Sequence, residues 1–338
     1  MNVNENIFLV ITTINRVNKN ILEFSKNTKK NLWNFIVVGD KKTPLNYKIN
    51  YGNFLSYKSQ KKLNYKFSKI CPTNNYARKN IGYLFAIEKG SGIIVETDDD
   101  NFPKKNFFSK INLKYTVREV LNKSWVNVYL NFLYKKEEIW PRGLSLNYIH
   151  DYPKLSTFKK TSNFYLQQGV CEGNPDVDAI FRLANKNIRV KFKNNFKYSL
   201  GAAISPFNSQ NTIWYKKIFP LLYLPVTCSM RCTDIWRSFV ALNILSQNSK
   251  KVLFFGTTMF QKRNDHNLVN DLLQEIPLYS QSEEIVKVLK KIKLKQGERY
   301  YCENLILSYQ VLIKKGFIKP AELKFLRCWI SDYNKLTQ

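Results

Sequence analysis

The sequence contains no apolar run that approaches the roughly 18–20 residues needed to cross a bilayer. Its 338 residues include only two histidines, and none of the six cysteines forms a C-x-x-C pair. We therefore expect no zinc site, and we expect the cysteines to be reduced and mostly buried. The apolar residues 7–11 are only of strand length and follow no basic region, so a signal peptide is not expected either.

Acidic residues are scarce, with 25 Asp and Glu against 54 Lys and Arg, and the formal net charge is +29. A charge of this sign favours phosphorylated or polyanionic partners. The lysines are spread along the chain rather than gathered in one stripe, so nucleic-acid binding is not expected. A composition that is 44% hydrophobic and 14% aromatic predicts a globular protein with a sizeable core.

Strand-like and helix-like segments alternate over the first 100 residues. The apolar pattern predicts buried strands within residues 6–16, 33–44 and 92–100, and helices within residues 18–30 and 74–90. Such alternation is typical of parallel strands joined by crossover helices, that is, of an α/β fold. Further along, a helix is expected to begin at Thr233 and Asp234, and amphipathic helices are expected after Ile276.

Three consecutive aspartates, Asp98, Asp99 and Asp100, end the third predicted strand. Clustered carboxylates repel one another, and they persist where a cation neutralises them. Oxygen ligands suit Mg²⁺ or Mn²⁺, which typically share a few carboxylates with substrate phosphates. Ligands of open α/β sheets bind beyond the carboxyl ends of the strands, where this cluster would lie. The alternative is an acidic surface turn at a helix N-terminus.

Several long segments, taken in chain order, resemble the STELLO-type glycosyltransferases. They are PTNNYARKNIGYLFAIEKGSGIIVETDDDNFP, WPRGLSL, QQGVCEGNPDVDAIFRL, PFNSQNT, LLYLPVTCSMRCTDIWRSFVA and QKRNDHNLVNDLLQEIPLY. The resemblance implies a GT-A-like glycosyltransferase domain over residues 1–275, with a Rossmann-type nucleotide-binding sheet. A helical C-terminal extension over residues 276–338 would pack on this domain.

The resemblance also implies roles for individual residues. Asp98 and Asp100 would form a D-x-D motif that binds Mn²⁺ or Mg²⁺, and His266 would be a further metal ligand, unless it is a loop histidine bonded to the backbone. Asp99 would contact the ribose or sugar of the donor. The nucleoside and the diphosphate would be contacted by the residues that follow the other strands and begin the preceding helix, namely Thr12, Thr13, Arg16, Asp40, Arg78 and Lys79.

Two acids are candidates for the base that accepts the proton of the acceptor hydroxyl. Asp234 lies where inverting GT-A enzymes place this base, although an aspartate at a helix start is also a common N-cap. Asp178 forms a second acidic pair with Asp176, which could hold acceptor or donor hydroxyls or could instead be partnered by Arg182. The residues themselves leave both questions open.

Taken together, these features predict a metal-dependent glycosyltransferase that uses a nucleoside-diphosphate sugar and an unidentified glycan or other hydroxyl acceptor. Plant members of the family add a membrane anchor, and because this sequence has no span of that length, a cytoplasmic location is expected. The alternatives are a metal-dependent nuclease or nucleotidyltransferase and a non-catalytic nucleotide-sugar-binding protein. A local excess of positive charge is expected at the donor cleft, around Arg16, Lys41, Lys42, Arg78 and Lys79.

Overall fold

A computed structural model describes residues 6–185, 188–263 and 267–338 of the chain. The eleven strands found in these residues form one mixed sheet. They are β1 (Ile7–Thr12), β2 (Asn34–Val38), β3 (Asn53–Leu55), β4 (Ile93–Asp98), β5 (Asn101–Pro103), β6 (Lys114–Glu119), β7 (Lys160–Asn163), β8 (Leu166–Gly173), β9 (Lys197–Leu200), β10 (Asn211–Tyr215) and β11 (Val252–Gln261).

The α-helices of the described residues cover the sheet and form most of the C-terminal part. They are α1 (Lys19–Lys30), α2 (Tyr57–Lys62), α3 (Lys66–Ile70), α4 (Lys79–Glu88), α5 (Ala179–Ala184), α6 (Thr233–Gln247), α7 (Leu268–Lys290), α8 (Tyr301–Lys314) and α9 (Glu322–Thr337). Short 3₁₀ segments occur at Tyr76–Arg78, Leu130–Phe132, Leu146–Tyr148, Lys216–Leu222 and Glu298–Tyr300.

The alternation predicted over the first 100 residues is confirmed. The sheet order is β3-β2-β1-β4-β10-β8-β11-β9-β6-β7, with β5 paired to β11, and the first four strands of this order are mutually parallel. α1 connects β1 to β2, and α4 precedes β4. The antiparallel strand β10 then joins this parallel half to the rest of the sheet. The predicted α/β class, with a helical C-terminal part, is therefore confirmed.

Local sequence explains the parallel half. The apolar residues of β1, β2 and β4 are buried on both faces of the sheet, as expected for strands covered by helices on each side. Asn18 caps α1 by accepting a hydrogen bond from the backbone N–H of Ile21 at 2.9 Å. Gly82 lets α4 approach the sheet closely, because a Cβ at this position would lie 2.6 Å from a methyl of Val38 and 2.7 Å from one of Val10.

A buried ion pair connects the parallel half to α6. Arg237 of α6 donates to both carboxylate oxygens of Glu96 on β4, at 2.8 and 3.1 Å. Glu96 also accepts hydrogen bonds from Trp214 of β10, at 2.7 Å, and from Tyr83 of α4. Four elements therefore meet at one carboxylate, two residues before Asp98, and this contact fixes the start of α6 relative to the end of β4.

The C-terminal helices pack on the same core as the sheet. Glu322 at the start of α9 accepts hydrogen bonds from the backbone N–H groups of Val226 and Thr227, and Trp329 of α9 donates to the carbonyl of Pro220 at 3.2 Å. The predicted boundary between residues 275 and 276 falls inside α7. In the part of the chain that the structure describes, no helix is both long enough and apolar enough to span a membrane.

Candidate active site

A cleft of about 460 Å³ opens at the carboxyl ends of β1, β2 and β4. This is the edge at which open α/β sheets bind ligands. Most of the predicted site residues line this cleft, namely Thr12, Thr13, Asp40, Arg78, Asp98, Asp99, Asp100 and Asp234. Arg16, Lys79 and Asp178 do not line it. Residues that are far apart in the sequence, such as Asp98 and Asp234, thus meet in one cavity.

Asp100 is the most deeply buried of the three aspartates and is 8% exposed. Its Oδ2 accepts a hydrogen bond from Gln261 at 2.9 Å, whereas its buried Oδ1 has no hydrogen-bond partner among the described residues. Burial, followed by the charge of Asp98, raises the pKa of this carboxyl to about 7. A buried carboxylate oxygen without a partner, facing a cleft, is one that a cation would stabilise.

Asp98 ends β4, and one of its two oxygens is engaged. Oδ1 accepts hydrogen bonds from Tyr76 at 2.8 Å and from Lys79 at 3.2 Å, while Oδ2 accepts none from the residues that the structure describes. Burial raises the pKa of Asp98, although Lys79 acts in the opposite direction. Asp98 and Asp100 therefore each present one oxygen that no described residue hydrogen-bonds, and this donor set fits a divalent cation that prefers oxygen ligands.

Asp99 is fixed by the loop that follows β1. Thr13 and Asn15 donate to its Oδ2 at 2.5 and 2.9 Å, and the Asn18 side chain donates to its backbone carbonyl at 2.8 Å. The polar residues after β1 and the aspartates after β4 thus form one hydrogen-bonded wall, because β1 and β4 are adjacent parallel strands. Arg16, three residues after Thr13, is exposed and lies outside the cleft lining.

Asp40 and Arg78 form a second wall. The Asp40 carboxylate accepts from the backbone N–H groups of Lys41 and Asn75, at 2.6 and 3.1 Å, and lies 3.9 Å from the guanidinium of Arg78. Arg78 is buried, and its guanidinium donates hydrogen bonds to the side chain of Gln60 and to the carbonyls of Cys71 and Pro72. Arg78 is therefore bound mainly to Gln60 and to the segment before α4, although it also lines the cleft, and its predicted contact with a diphosphate stays a prediction.

Asp234 lies at the start of α6 and faces the cleft. Arg142 donates to its two oxygens at 3.1 Å, and both the backbone N–H and the hydroxyl of Ser209 donate to Oδ2 at 3.2 Å. The N-cap position belongs to Cys232, whose side chain makes no cap hydrogen bond. The N-cap alternative for Asp234 is therefore not supported.

Arg142, which sequence reasoning passed over within WPRGLSL, joins two carboxylates. It makes a bidentate pair with Asp176, at 2.8 and 2.9 Å, in addition to its contact with Asp234. Although burial acts in the opposite direction, Arg142 holds the pKa of Asp176 well below its usual range. Asp176 is thus neutralised by Arg142, and not by Arg182, which bonds Asn174 and the carbonyl of Pro175.

Asp178 has a structural position. Its side chain caps α5 by accepting from the backbone N–H of Phe181 at 2.8 Å, and its second oxygen accepts from the indole of Trp140 at 2.6 Å. Burial raises its pKa to about 6, a value that would suit an acid–base catalyst. Because Asp178 caps α5 and lies outside the cleft lining, we assign it to helix capping rather than to catalysis.

His266 lies outside the described residues, so its predicted role as a metal ligand stays a prediction. Among the residues that are described, no group of three or more His, Cys, Asp and Glu side chains is arranged to hold a metal ion. The aspartate pair therefore provides two candidate ligands, and a complete site would need substrate, water or residues beyond these.

Two cleft arginines were also missed by sequence reasoning. Arg231 pairs with Glu275 at 2.8 Å, and Arg263 pairs with Asp271 at 2.8 Å. Burial, and then the charge of Arg231, lower the pKa of Arg263, whose buried Nε has no partner among the described residues. Both arginines come from family-like segments, but only the fold brings the loop after β11 and the start of α6 to one wall.

The predicted excess of positive charge at the cleft is wrong. Of the five basic residues named for it, only Lys42 and Arg78 line the cavity. The described lining contains seven aspartates and five basic residues, with Arg142, Arg231 and Arg263 as the other three. A chain of net charge +29 therefore has a cleft with an excess of carboxylates.

The chain that carries this site is similar to the STELLO glycosyltransferases. The family model of the STELLO glycosyltransferases matches residues 231–338, which include α6, the loop after β11 and all three C-terminal helices. The chain is 27% identical over 327 residues to "Probable glycosyltransferase STELLO2" of Arabidopsis thaliana, and 26% identical over 322 residues to "Probable glycosyltransferase STELLO1" of the same plant. These matches confirm the resemblance that the sequence segments predicted.

The two plant matches cover most of this chain but less than half of each plant protein. Each covers 89% of this chain but only 41% of the plant protein. A solved structure, "Crystal Structure of a Mycobacterial Protein", aligns over 81% of this chain and 72% of its own chain, with 9% identity and a TM-score of 0.42.

Proposed function

We propose that this chain, a relative of the STELLO glycosyltransferases, is a metal-dependent glycosyltransferase that moves a sugar from a nucleoside-diphosphate sugar to an acceptor hydroxyl. The observation that carries the proposal is the cleft wall formed by Asp98 and Asp100. Each presents a carboxylate oxygen that no described residue satisfies, and one of these oxygens is buried. Mn²⁺ or Mg²⁺ bound there would supply positive charge that stabilises a diphosphate leaving group.

The donor half of the cleft is the part built by β1, β2 and β4. Thr12 and Thr13 follow β1, Asp40 follows β2, and the hydrogen-bonded Asp99 stands between them and the metal-binding pair. These side chains would orient the nucleoside and the sugar. Arg231 and Arg263 take the place of Lys79 as cations proposed to face the diphosphate beside Arg78, because they line the cleft.

The acceptor half is the wall that carries Asp234. In the proposed reaction, its carboxylate accepts the proton that the acceptor hydroxyl loses as it attacks the sugar. Arg142 and Ser209 hold the carboxylate in one orientation through four hydrogen bonds. Because Asp234 is engaged by these groups and not by the aspartate cluster, it would act apart from the metal.

The two alternatives gain less support. A nuclease would need a basic track for its polyanionic substrate, whereas each cleft arginine pairs with a carboxylate and acids outnumber basic residues in the lining. A binding protein without turnover would not need Asp234 at the acceptor wall. The predicted cytoplasmic location stays a prediction.

Isothermal titration with a panel of nucleoside diphosphates tests the proposal. We expect one of them to bind in the presence of Mn²⁺ and to lose affinity in EDTA, and we expect Asp100→Ala to weaken binding by at least about tenfold because the cation would lose a ligand. Asp151→Ala removes an exposed carboxylate outside the cleft and serves as the matched control. Equal affinity in EDTA, or in folded Asp100→Ala protein, would refute metal dependence.

A further inference from the structure

Lys79 is fully buried against the first aspartate of the cluster. Its ammonium donates to the carbonyl of Thr97 at 2.9 Å, the hydroxyl of Tyr76 at 3.0 Å, Asp98 Oδ1 at 3.2 Å and the carbonyl of Ser209 at 3.3 Å. An ammonium has three N–H groups, so these four acceptors leave none for a substrate. Lys79 therefore does not contact a diphosphate, contrary to the expectation from the sequence.

The position of Lys79 determines how Asp98 presents its charge. Lys79 and Tyr76 both bind Oδ1, which leaves Oδ2 as the oxygen available to the cleft. The aspartate cluster consequently has one of its three negative charges compensated before any ligand enters. The Lys79 ammonium lies 3.2 Å from Oδ1 of the same carboxylate, so its positive charge would repel a cation bound to Oδ2.

We propose that Lys79 is an internal counter-ion that keeps the affinity of the empty cleft for a divalent cation low, so that the cation binds together with a nucleoside diphosphate. The diphosphate supplies the negative charge that Lys79 has cancelled. This inference rests on the proposed function for the identity of the ligand. By linkage, the factor by which the nucleotide tightens cation binding equals the factor by which the cation tightens nucleotide binding.

The experiment measures Mn²⁺ binding in the absence of nucleotide, from the electron paramagnetic resonance signal of free Mn²⁺. We expect Lys79→Met to bind Mn²⁺ at least about tenfold more tightly than the wild type, because a nearby positive charge has been removed. Lys79→Arg retains the charge and should restore the weak binding. Lys89→Met, an exposed lysine just after the same helix, should behave as wild type. Thermal unfolding monitors the fold of each variant.

Equal or weaker Mn²⁺ binding by folded Lys79→Met overturns the proposal and leaves Lys79 with a structural role only. If Lys79→Met does not fold, the wild type decides: a Kd for Mn²⁺ alone below about 0.1 mM overturns the proposal, and a weaker one supports it. If no nucleoside diphosphate binds to the wild type, the proposed function fails, whereas the comparison of Mn²⁺ affinities still decides the role of Lys79.

Discussion

Asp234 combines a common sequence position with an uncommon set of contacts. An acid in the first turn of a helix often interacts with the free N–H groups and with the helix dipole. Here the side chain instead turns to Arg142 and Ser209 at the cleft wall. Because Arg142 is also paired with Asp176, its charge stays compensated when Asp234 loses its own charge. Asp234 can therefore be changed without leaving a buried arginine unpaired.

We predict that Asp234→Asn abolishes sugar transfer, by at least about 100-fold, and leaves donor affinity within a factor of about two. The asparagine carbonyl still accepts hydrogen bonds from Arg142 and Ser209, so the cleft keeps its shape, but the amide cannot take up a proton. Release of nucleoside diphosphate from the donor identified by titration measures transfer, and titration itself measures donor affinity.

The conservative variant Asp234→Glu is the companion measurement, since it retains a proton acceptor at a displaced position. Full transferase activity in Asp234→Asn would show that another group accepts the proton. Loss of donor binding together with transfer would show that Asp234 shapes the donor half of the cleft rather than acting on the acceptor.

At the scale of elements, the short helix α5 depends on its cap. Asp178 accepts from the backbone of Phe181 and from Trp140, and burial raises its pKa to about 6, above the ordinary value of an aspartate. Between about pH 4 and pH 6, the Asp178 carboxyl therefore keeps its proton in the folded state, whereas in the unfolded state it has already lost it. The stability that comes from this group is complete below about pH 4 and is lost as the pH rises through about 6.

We predict that the free energy of unfolding of the wild type, compared with that of Asp178→Asn, falls by up to about 3 kcal/mol as the pH rises from about 4 to above 6. The asparagine does not titrate, so the difference between the two proteins isolates this one carboxyl. Urea unfolding at a series of pH values measures it. Asp151→Asn, with an exposed side chain, should follow the wild type. Parallel pH profiles for wild type and Asp178→Asn would contradict the prediction.

The C-terminal helices hold in place the segments that lead to the candidate site. Glu322 of α9 receives the backbone N–H groups of Val226 and Thr227, and these residues belong to the segment that leads into α6 and Asp234. Asp332 of α9 likewise accepts from the backbone N–H groups at the start of α3. Removal of α9 would therefore leave several buried polar groups without partners, at a cost of roughly 1–3 kcal/mol for each.

At the scale of the whole molecule, we predict that a chain shortened to residues 1–275 does not fold cooperatively. The cut falls inside α7, and the removed part includes the buried residues Leu278, Tyr309 and Trp329, which belong to the same core as the sheet. Thermal unfolding followed by circular dichroism, together with size-exclusion chromatography, compares the shortened chain with the full one. A single cooperative transition in a compact, shortened protein would contradict the prediction and support a separate domain.

The charge of the cleft differs in sign from the net charge of the whole molecule. The net charge of +29 suggested a basic cleft, yet seven of the 25 acidic residues line the cavity and its arginines are paired. A sequence gives the total charge, but it does not show which residues converge from distant parts of the chain. The excess of carboxylates inside a basic protein is a property of the fold.

The sequence by itself determined the α/β class, three of the four parallel strands and the aspartate cluster at the end of β4. It could do so because apolar periodicity, helix caps and strand ends are local signals, read over ten to twenty residues. Only the tertiary structure decided which polar residues face the cleft. Lys79 begins the helix that precedes the aspartates, yet the packing of α4 on the sheet buries it outside the cleft lining, whereas Arg142, Arg231 and Arg263 line the cavity. The direction in which a side chain points follows from the elements packed around it, and these come from segments that no local pattern connects.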